Sequence, residues 1–289
     1  LIPEEGAAMG NLLRERLKKG GAALIILAYL AFLYFPIYWL VTMSLKVRVD
    51  IMAIPPKWTF KPILDNYQWL LSRSAMLGSI SRSLVVTVLV VFFALLFGVP
   101  AAYVLSRFEF RRKQDLEFWV FSTRFMPAVA VIIPFYYLWL NLKLLDSTFS
   151  LVVTYLSVNL PLVIWLMAGF FRGIPLEYDE SARTEGATLM QSFWKVVLPL
   201  ARPGMTAAAI LVFLFTWNDF FFAFILTSRN PTLPVTMGSF IAQGLEVRYG
   251  EMAAAGVIAS IPSIIFAIVA RKGLISGFRS IAGLSGGGK

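Results

Sequence analysis

The sequence predicts an all-α integral membrane protein with six membrane-spanning helices. Three observations carry that prediction. Hydrophobic residues make up 58% of the 289 residues and aromatic residues 15%, against roughly 45–50% apolar in soluble domains. Mean hydropathy is +0.75. The charges are also segregated, long charge-free runs alternating with short charged segments, as in helices that cross a bilayer and loops that do not.

The elements follow in chain order. Residues 1–10 carry no readable signal. Residues 11–21 place Arg14, Arg16, Lys18 and Lys19 around Leu12, Leu13 and Leu17, an amphipathic approach to the membrane that completes an amino-terminal segment 1–21. No cleavable signal peptide is expected, because the first apolar run is too long for a signal core and lacks a small-residue cleavage site. A helix needs about 20 residues to cross a core of roughly 30 Å, so the charge-free residues 22–45 form the first span, with Pro36 as a kink. Residues 46–82, with Pro55, Pro56 and Pro62, read as an external loop. The second span is 83–106, with Gly98 and Pro100 as packing or kink positions. A third span, 118–141, is interrupted by Arg124, Pro127 and Pro134, and a fourth, 147–171, contains Asn159 and Pro161. After a polar segment at about 172–200 comes a fifth span, 203–227, holding Asn218 and Asp219. An external loop at about 228–251 then leads to a sixth span, 252–270. The membrane domain is 22–275, and 276–289 is a cytoplasmic tail.

Basic residues set the orientation. Arg14, Arg16, Lys18 and Lys19 precede span one. Arg107, Arg111, Arg112 and Lys113 follow span two, Arg172, Arg183, Lys195 and Arg202 lie around the 172–200 segment, and Arg271, Lys272, Arg279 and Lys289 end the chain. The short loop after span three holds only Lys143. The positive-inside rule therefore places both termini and the 172–200 segment in the cytoplasm. The basic residues of the long 46–82 loop run against this, but loops of that length follow the rule less closely than short ones.

The stretch from Glu180 to Pro199 organises the rest. Glu177, Asp179, Glu180, Arg183, Glu185 and Lys195 cannot sit in hydrocarbon without a cost of roughly 2.5–3.5 kcal/mol per central charge, so the stretch faces water. Pro175 ahead of the acidic group predicts a helix start and Gly186 its stop. A second helical turn from Ala187 presents Leu189, Phe193 and Val197 at helical spacing before Pro199. The frame Glu180, Ala182, Gly186, Val196, Leu198, Pro199 resembles the EAA loop of ABC importer permeases, with Ser181 where Ala is usual and Val196 where Ile is usual. The resemblance covers nearly the whole chain and looks like a carbohydrate-uptake permease of the maltose-importer type.

That resemblance implies a type I ABC importer permease architecture in a prokaryotic inner membrane, in which Glu180, Ser181, Ala182, Glu185, Gly186, Leu198 and Pro199 form a coupling helix docked on a cytoplasmic ATPase. It implies a second homologous permease subunit, an ATPase dimer, an extracytoplasmic solute-binding protein, and a sugar or polyol substrate. The chain itself would bind no cofactor, ATP and Mg belonging to the ATPase. Nucleotide and the loaded binding protein would both favour the outward-open state, and the coupling helix would carry the motion. In such permeases the loop between spans five and six reaches toward the binding protein, which makes Gly238, Phe240, Gln243 and Gly244 candidates here.

The residues themselves suggest a substrate path. Ionisable groups within spans face a polar cavity or a partner, so Trp217, Asn218 and Asp219 either line the path or clamp helices together. Asn159 with Tyr136 could give a sugar ring hydrogen bonds and a flat apolar face. Arg124 either snorkels to the interface or faces the cavity.

Other classes fit less well. Cysteine and histidine are absent, which removes thiolate and imidazole chemistry; no catalytic residue and no metal site is expected. The net charge of +10 lies in loops between apolar runs, not in a stripe that nucleic acid would need. Residues 283–289 match G-x-x-x-x-G-K, yet no strand precedes them and no Ser or Thr and helix follow, so they read as a flexible terminus. The rival readings are an ABC permease for another solute such as a phosphate ester, and an ion-coupled secondary carrier, which would want more buried acids than Asp219.

Overall fold

The computed structural model describes the backbone of residues 4–242 and 248–285, and the side chains of residues 19–240 and 248–269. Its helices are α1 (Glu4–Ser44), α2 (Arg48–Ile51), α3 (Asp65–Leu71), α4 (Ser74–Arg107), α5 (Lys113–Ser122), α6 (Ala128–Asn141), α7 (Thr148–Arg172), α8 (Glu177–Thr184), α9 (Leu189–Ser192), α10 (Leu198–Leu200), α11 (Arg202–Trp217), α12 (Phe221–Leu226), α13 (Leu233–Ala242) and α14 (Tyr249–Ser285). No strand occurs among the described residues. The chain divides into two compact units, Leu1–Leu70 with Glu246–Val257 and Leu71–Leu245 with Ile258–Lys289.

In the first unit α1 runs unbroken from Glu4, so residues 11–21 open a long helix instead of forming a separate surface segment. Its large apolar side chains from Leu24 to Tyr38 are exposed, as suits a lipid-facing surface. The segment after it is more ordered than a polar loop. Lys46 is 3% exposed, yet its ammonium donates to the Lys57 carbonyl at 2.7 Å and lies over the Trp39 and Phe60 rings. Asn66 donates to the carbonyls of Ser44 and Lys46, and Tyr67 shares a hydroxyl contact of 2.6 Å with Ser44.

The second unit is built on α4 and α7. Small residues set their spacing, because a Cβ on Gly98 would lie 2.7 Å from Val163, and Ala94 and Ala102 are fully buried. α11 packs on the same pair, with Gly204 against the Phe170 ring. α4 starts nine residues before the expected span because its polar residues are satisfied inside the fold. Ser79 donates to the Met76 carbonyl, and Ser83 accepts the Leu233 backbone N–H. At 1.5 Å per residue the 34-residue helix is about 51 Å long, so it overshoots the roughly 30 Å core at its ends.

Among the described residues, four helices are long and apolar enough to span, and up to six spans result if each of two bent pairs counts as one. The third expected span is one bent pair: α5 and a 3₁₀ turn at Thr123–Phe125 meet α6 at 94°. Met126 is extended, as the residue before a proline usually is, and Pro127 is the N-cap of α6. The fifth span is not continuous either. α11 ends at Trp217, and α12 starts after a break at Asn218–Phe220. The expected external loop contains α13, and α14 runs helical through residues 276–285, into the segment expected to be a cytoplasmic tail.

Candidate functional site

At one end of the α4–α7 pair stands a hairpin formed by α8 and α9. α8 begins with Glu177, Asp179 and Glu180 in its first turn, where the helix dipole favours carboxylates. Gly186 closes it at φ 91°, a left-handed conformation that glycine adopts without strain. Thr188 and Gln191 then form a reciprocal capping box that starts α9. A π-helical turn over Phe193–Val197 buries Phe193 and Val197 and leads through α10 into α11, whose axis is bent 72° from the preceding segment. Leu189, expected on the same stripe as Phe193 and Val197, is 42% exposed at the first turn of α9. Glu180, Ser181, Glu185 and Gly186 are exposed, Ala182 is buried, and Leu198 and Pro199 are half-buried.

Not every charge of this hairpin faces water. Asp179 is buried, accepting the Tyr103 hydroxyl at 2.7 Å and the Ser192 hydroxyl at 3.0 Å. Its second oxygen lies 3.0 Å from Arg107 Nε, an ionic contact without the alignment of a hydrogen bond. Arg107 also donates to the Ile174 carbonyl at 2.8 Å. A cavity of about 120 Å³ runs beside this cluster, bordered by Arg183 and Leu189. Thus α8 is pinned to the end of α4 by charge, while its outer rim is free.

A second group of polar residues gathers along the α7–α11 seam. Asn159, 3% exposed, donates to the Tyr155 carbonyl at 2.9 Å and faces the Thr216 hydroxyl at 3.4 Å, and its Oδ1 has no hydrogen-bond partner. Tyr155 donates its hydroxyl to Asp219 at 2.8 Å. The same carboxylate accepts the Phe222 N–H at 3.0 Å, so Asp219 caps α12 across the helix break. Arg124 turns to the seam, with its guanidinium 5.0 Å from the Phe215 ring centre and 3.4 Å from the Val158 carbonyl. Trp217 is buried, stacked on Phe213 and donating to the Ala259 carbonyl at 3.0 Å, a clamp onto α14. Asn218 is exposed and bonds back to Leu214, and Tyr136 packs on α6 beside Tyr137. Arg124, Asn159 and Asp219 are thereby brought to one seam.

The opposite end of α4 and α7 carries a second ionic clamp. Arg82 donates to the Asp146 carbonyl at 2.7 Å, and the Asp146 carboxylate accepts backbone N–H groups of Ser228, Arg229 and Asn230 at 3.1–3.2 Å. Gly238 of α13 lies against the Phe220 ring, and Phe240 is half-buried near the end of α13. Gln243 and Gly244 lie outside the described residues.

The family of binding-protein-dependent transport system inner membrane components matches residues 94–280. The chain belongs to that family. The permease is similar to the probable ABC transporter permease protein y4oR of Sinorhizobium fredii, at 35% identity over 86% of this chain and 90% of the relative. It is also similar to the trehalose transport system permease protein SugB of Mycobacterium tuberculosis, at 33% identity over 85% and 90%. A solved bacterial ABC transporter involved in import of the acidic polysaccharide alginate shares the fold with a TM-score of 0.75 at 24% identity, over 90% of this chain and 97% of that one. This permease is therefore a multi-pass inner-membrane transport subunit of a binding-protein-dependent ABC importer.

Sequence reasoning missed Arg107, Tyr103 and Ser192 as partners of the α8–α9 hairpin, and Arg82 with Asp146 at the other end. A signal was present. Arg82 and Arg107 bracket a charge-free run and stand 25 residues apart, about 37 Å along a helix, which matches a bilayer core plus its interfaces.

Proposed function

We propose that this permease forms one half of the translocation path for a sugar, polyol or sugar derivative, and that a separate cytoplasmic ATPase drives it through the α8–α9 hairpin. The observation that carries this reading is the hairpin's two-sided construction. Its rim, Glu180, Ser181, Glu185 and Gly186, is exposed, while Asp179, Ala182, Phe193 and Val197 root it in the helix bundle. A push on the rim reaches α4 through the Arg107–Asp179 pair and α11 through the buried π-turn. ATP and Mg belong to the partner, an ATPase dimer. A second homologous permease subunit completes the path, an extracytoplasmic solute-binding protein delivers substrate to the Arg82–Asp146 end, and both termini are cytoplasmic.

The substrate class draws support from two sources. Relatives are named for trehalose, for trehalose and maltose, and for diacetylchitobiose. The unpartnered Oδ1 of Asn159 is an acceptor of the kind a sugar hydroxyl satisfies. A phosphate ester is the second reading, favoured by Arg124, whose guanidinium lies against the Phe215 ring at the α7–α11 seam. An ion-coupled carrier is disfavoured because the acid it would use, Asp219, is engaged as a helix cap.

The test is reconstitution with the ATPase, the second permease and the binding protein. Gly186→Asp is expected to leave assembly and ATP hydrolysis intact while uptake falls at least ten-fold; normal uptake would sink the coupling role. A panel of sugars, polyols and phosphate esters, scored by stimulated ATP hydrolysis, decides the substrate class.

A further inference from the structure

The cavity beside the Arg82–Asp146 clamp has a volume of about 490 Å³ and is bordered by Ser74, Ser79, Thr148, Arg229 and Asn230. Its electrostatics are one-sided. Asp146, the acid at its wall, is already neutralised by three backbone N–H groups and by Arg82. The Arg82 side chain is 11% exposed, and its Nε has no hydrogen-bond partner. Arg229 is exposed at the mouth. The first turns of α4 and α7, helices of 34 and 25 residues, open onto the same space and add the positive ends of their dipoles. With Arg82 and Asp146 offsetting each other, Arg229 and the two helix starts leave the cavity with a positive balance.

We infer that this cavity is a docking socket for a carboxylate side chain on the surface of the solute-binding protein, with Arg229 as its outer contact and Arg82 at its wall. The inference rests on the importer reading, which turns this end toward the binding protein. Charge complementarity selects an acidic occupant. The placement of the donors selects one carried on a protein: Arg229 and Asn230 are exposed and Arg82 is largely engaged by Asp146, so a free anion would stay hydrated at the mouth. A carboxylate held on an already docking face meets the same donors without losing the freedom of a separate molecule.

The experiment titrates the reconstituted wild-type complex with its sugar-loaded binding protein and reads ATP hydrolysis. Arg229→Glu, which leaves the Arg82–Asp146 clamp in place, is expected to raise the half-stimulating concentration about ten-fold while the plateau at saturation is retained. Its weakened dependence on sodium chloride should accompany that shift. Lys143→Glu, a charge reversal at an exposed residue outside the cavity wall, should leave the half-stimulating concentration within two-fold, roughly the scatter expected of a rim charge. An equal shift in Lys143→Glu, or none in Arg229→Glu, would overturn the socket. Thermal stabilisation of the wild-type complex by millimolar inorganic phosphate at constant ionic strength, lost in Arg229→Glu, would also overturn it and assign the cavity to a free anion. If the binding protein fails to stimulate even the wild-type complex, the importer reading falls and the socket with it, whereas stimulation with unshifted variants removes the socket alone.

Discussion

Replacing Asp179 by Asn separates charge from shape at the root of the α8–α9 hairpin. Asn keeps an oxygen for the hydroxyls of Tyr103 and Ser192, so the change removes chiefly the negative charge beside Arg107. The Arg107 side chain is 6% exposed, and stripping one partner from a buried pair costs about 3–5 kcal/mol. Because Arg107 keeps the Ile174 carbonyl, the low end, about 3 kcal/mol, is expected. The loss is local to the hairpin, so it should appear as local opening: amide hydrogen exchange over residues 177–192 should quicken by about 100-fold, at roughly 1.4 kcal/mol per ten-fold. Exchange in the α4–α7 core should not change. Asp179→Leu with Arg107→Met should restore most of the protection, since a buried pair replaced by apolar side chains is often neutral or better. Unchanged exchange in Asp179→Asn, or a double variant as loose as the single, would refute the claim that charge pairing fastens the hairpin to α4.

Three further outcomes are expected. Gly204→Ala puts a Cβ 2.5 Å from the Phe170 ring and should lower stability by about 1–3 kcal/mol. Gly169→Ala, in the same helix pair but with open space around its Cβ, should be neutral or stabilising by up to about 1 kcal/mol; equal thermal midpoints for the two variants would argue against close packing of α7 on α11. Asp219→Ala removes the α12 cap and the Tyr155 partner together, for about 2–3 kcal/mol, and adding Tyr155→Phe should recover about 1 kcal/mol of it in a double-mutant cycle. Asn159→Leu fills the site of an unpartnered acceptor and should cost little stability, yet lower uptake at least ten-fold; transport at the wild-type rate would make Asn159 a packing residue.

The α7–α11 seam shows how far side-chain chemistry was legible from sequence. Arg124, Asn159 and Asp219 stood out because polar groups inside apolar runs are costly unless partnered. Their partners were not readable. Asp219 meets Tyr155, 64 residues away, and Arg124 meets Phe215, because Pro127 and the Asn218–Phe220 break redirect the helices that carry them.

Charge-free runs of sufficient length, their alternation with basic loops, and the fixed frame from Glu180 to Pro199 were enough to determine the fold class, the candidate spans and the position of the α8–α9 hairpin. Hydrocarbon imposes those features on a chain residue by residue. What the tertiary structure alone decided is which charges are buried and against what. Asp179 looked like its acidic neighbours until α8 folded against the end of α4, and Arg82 looked like a loop residue until α4 began at Ser74 and Asp146 arrived from the α6–α7 turn. Periodicity reports the face a residue occupies on its own helix, whereas an ion pair forms between helices whose contact no local pattern encodes.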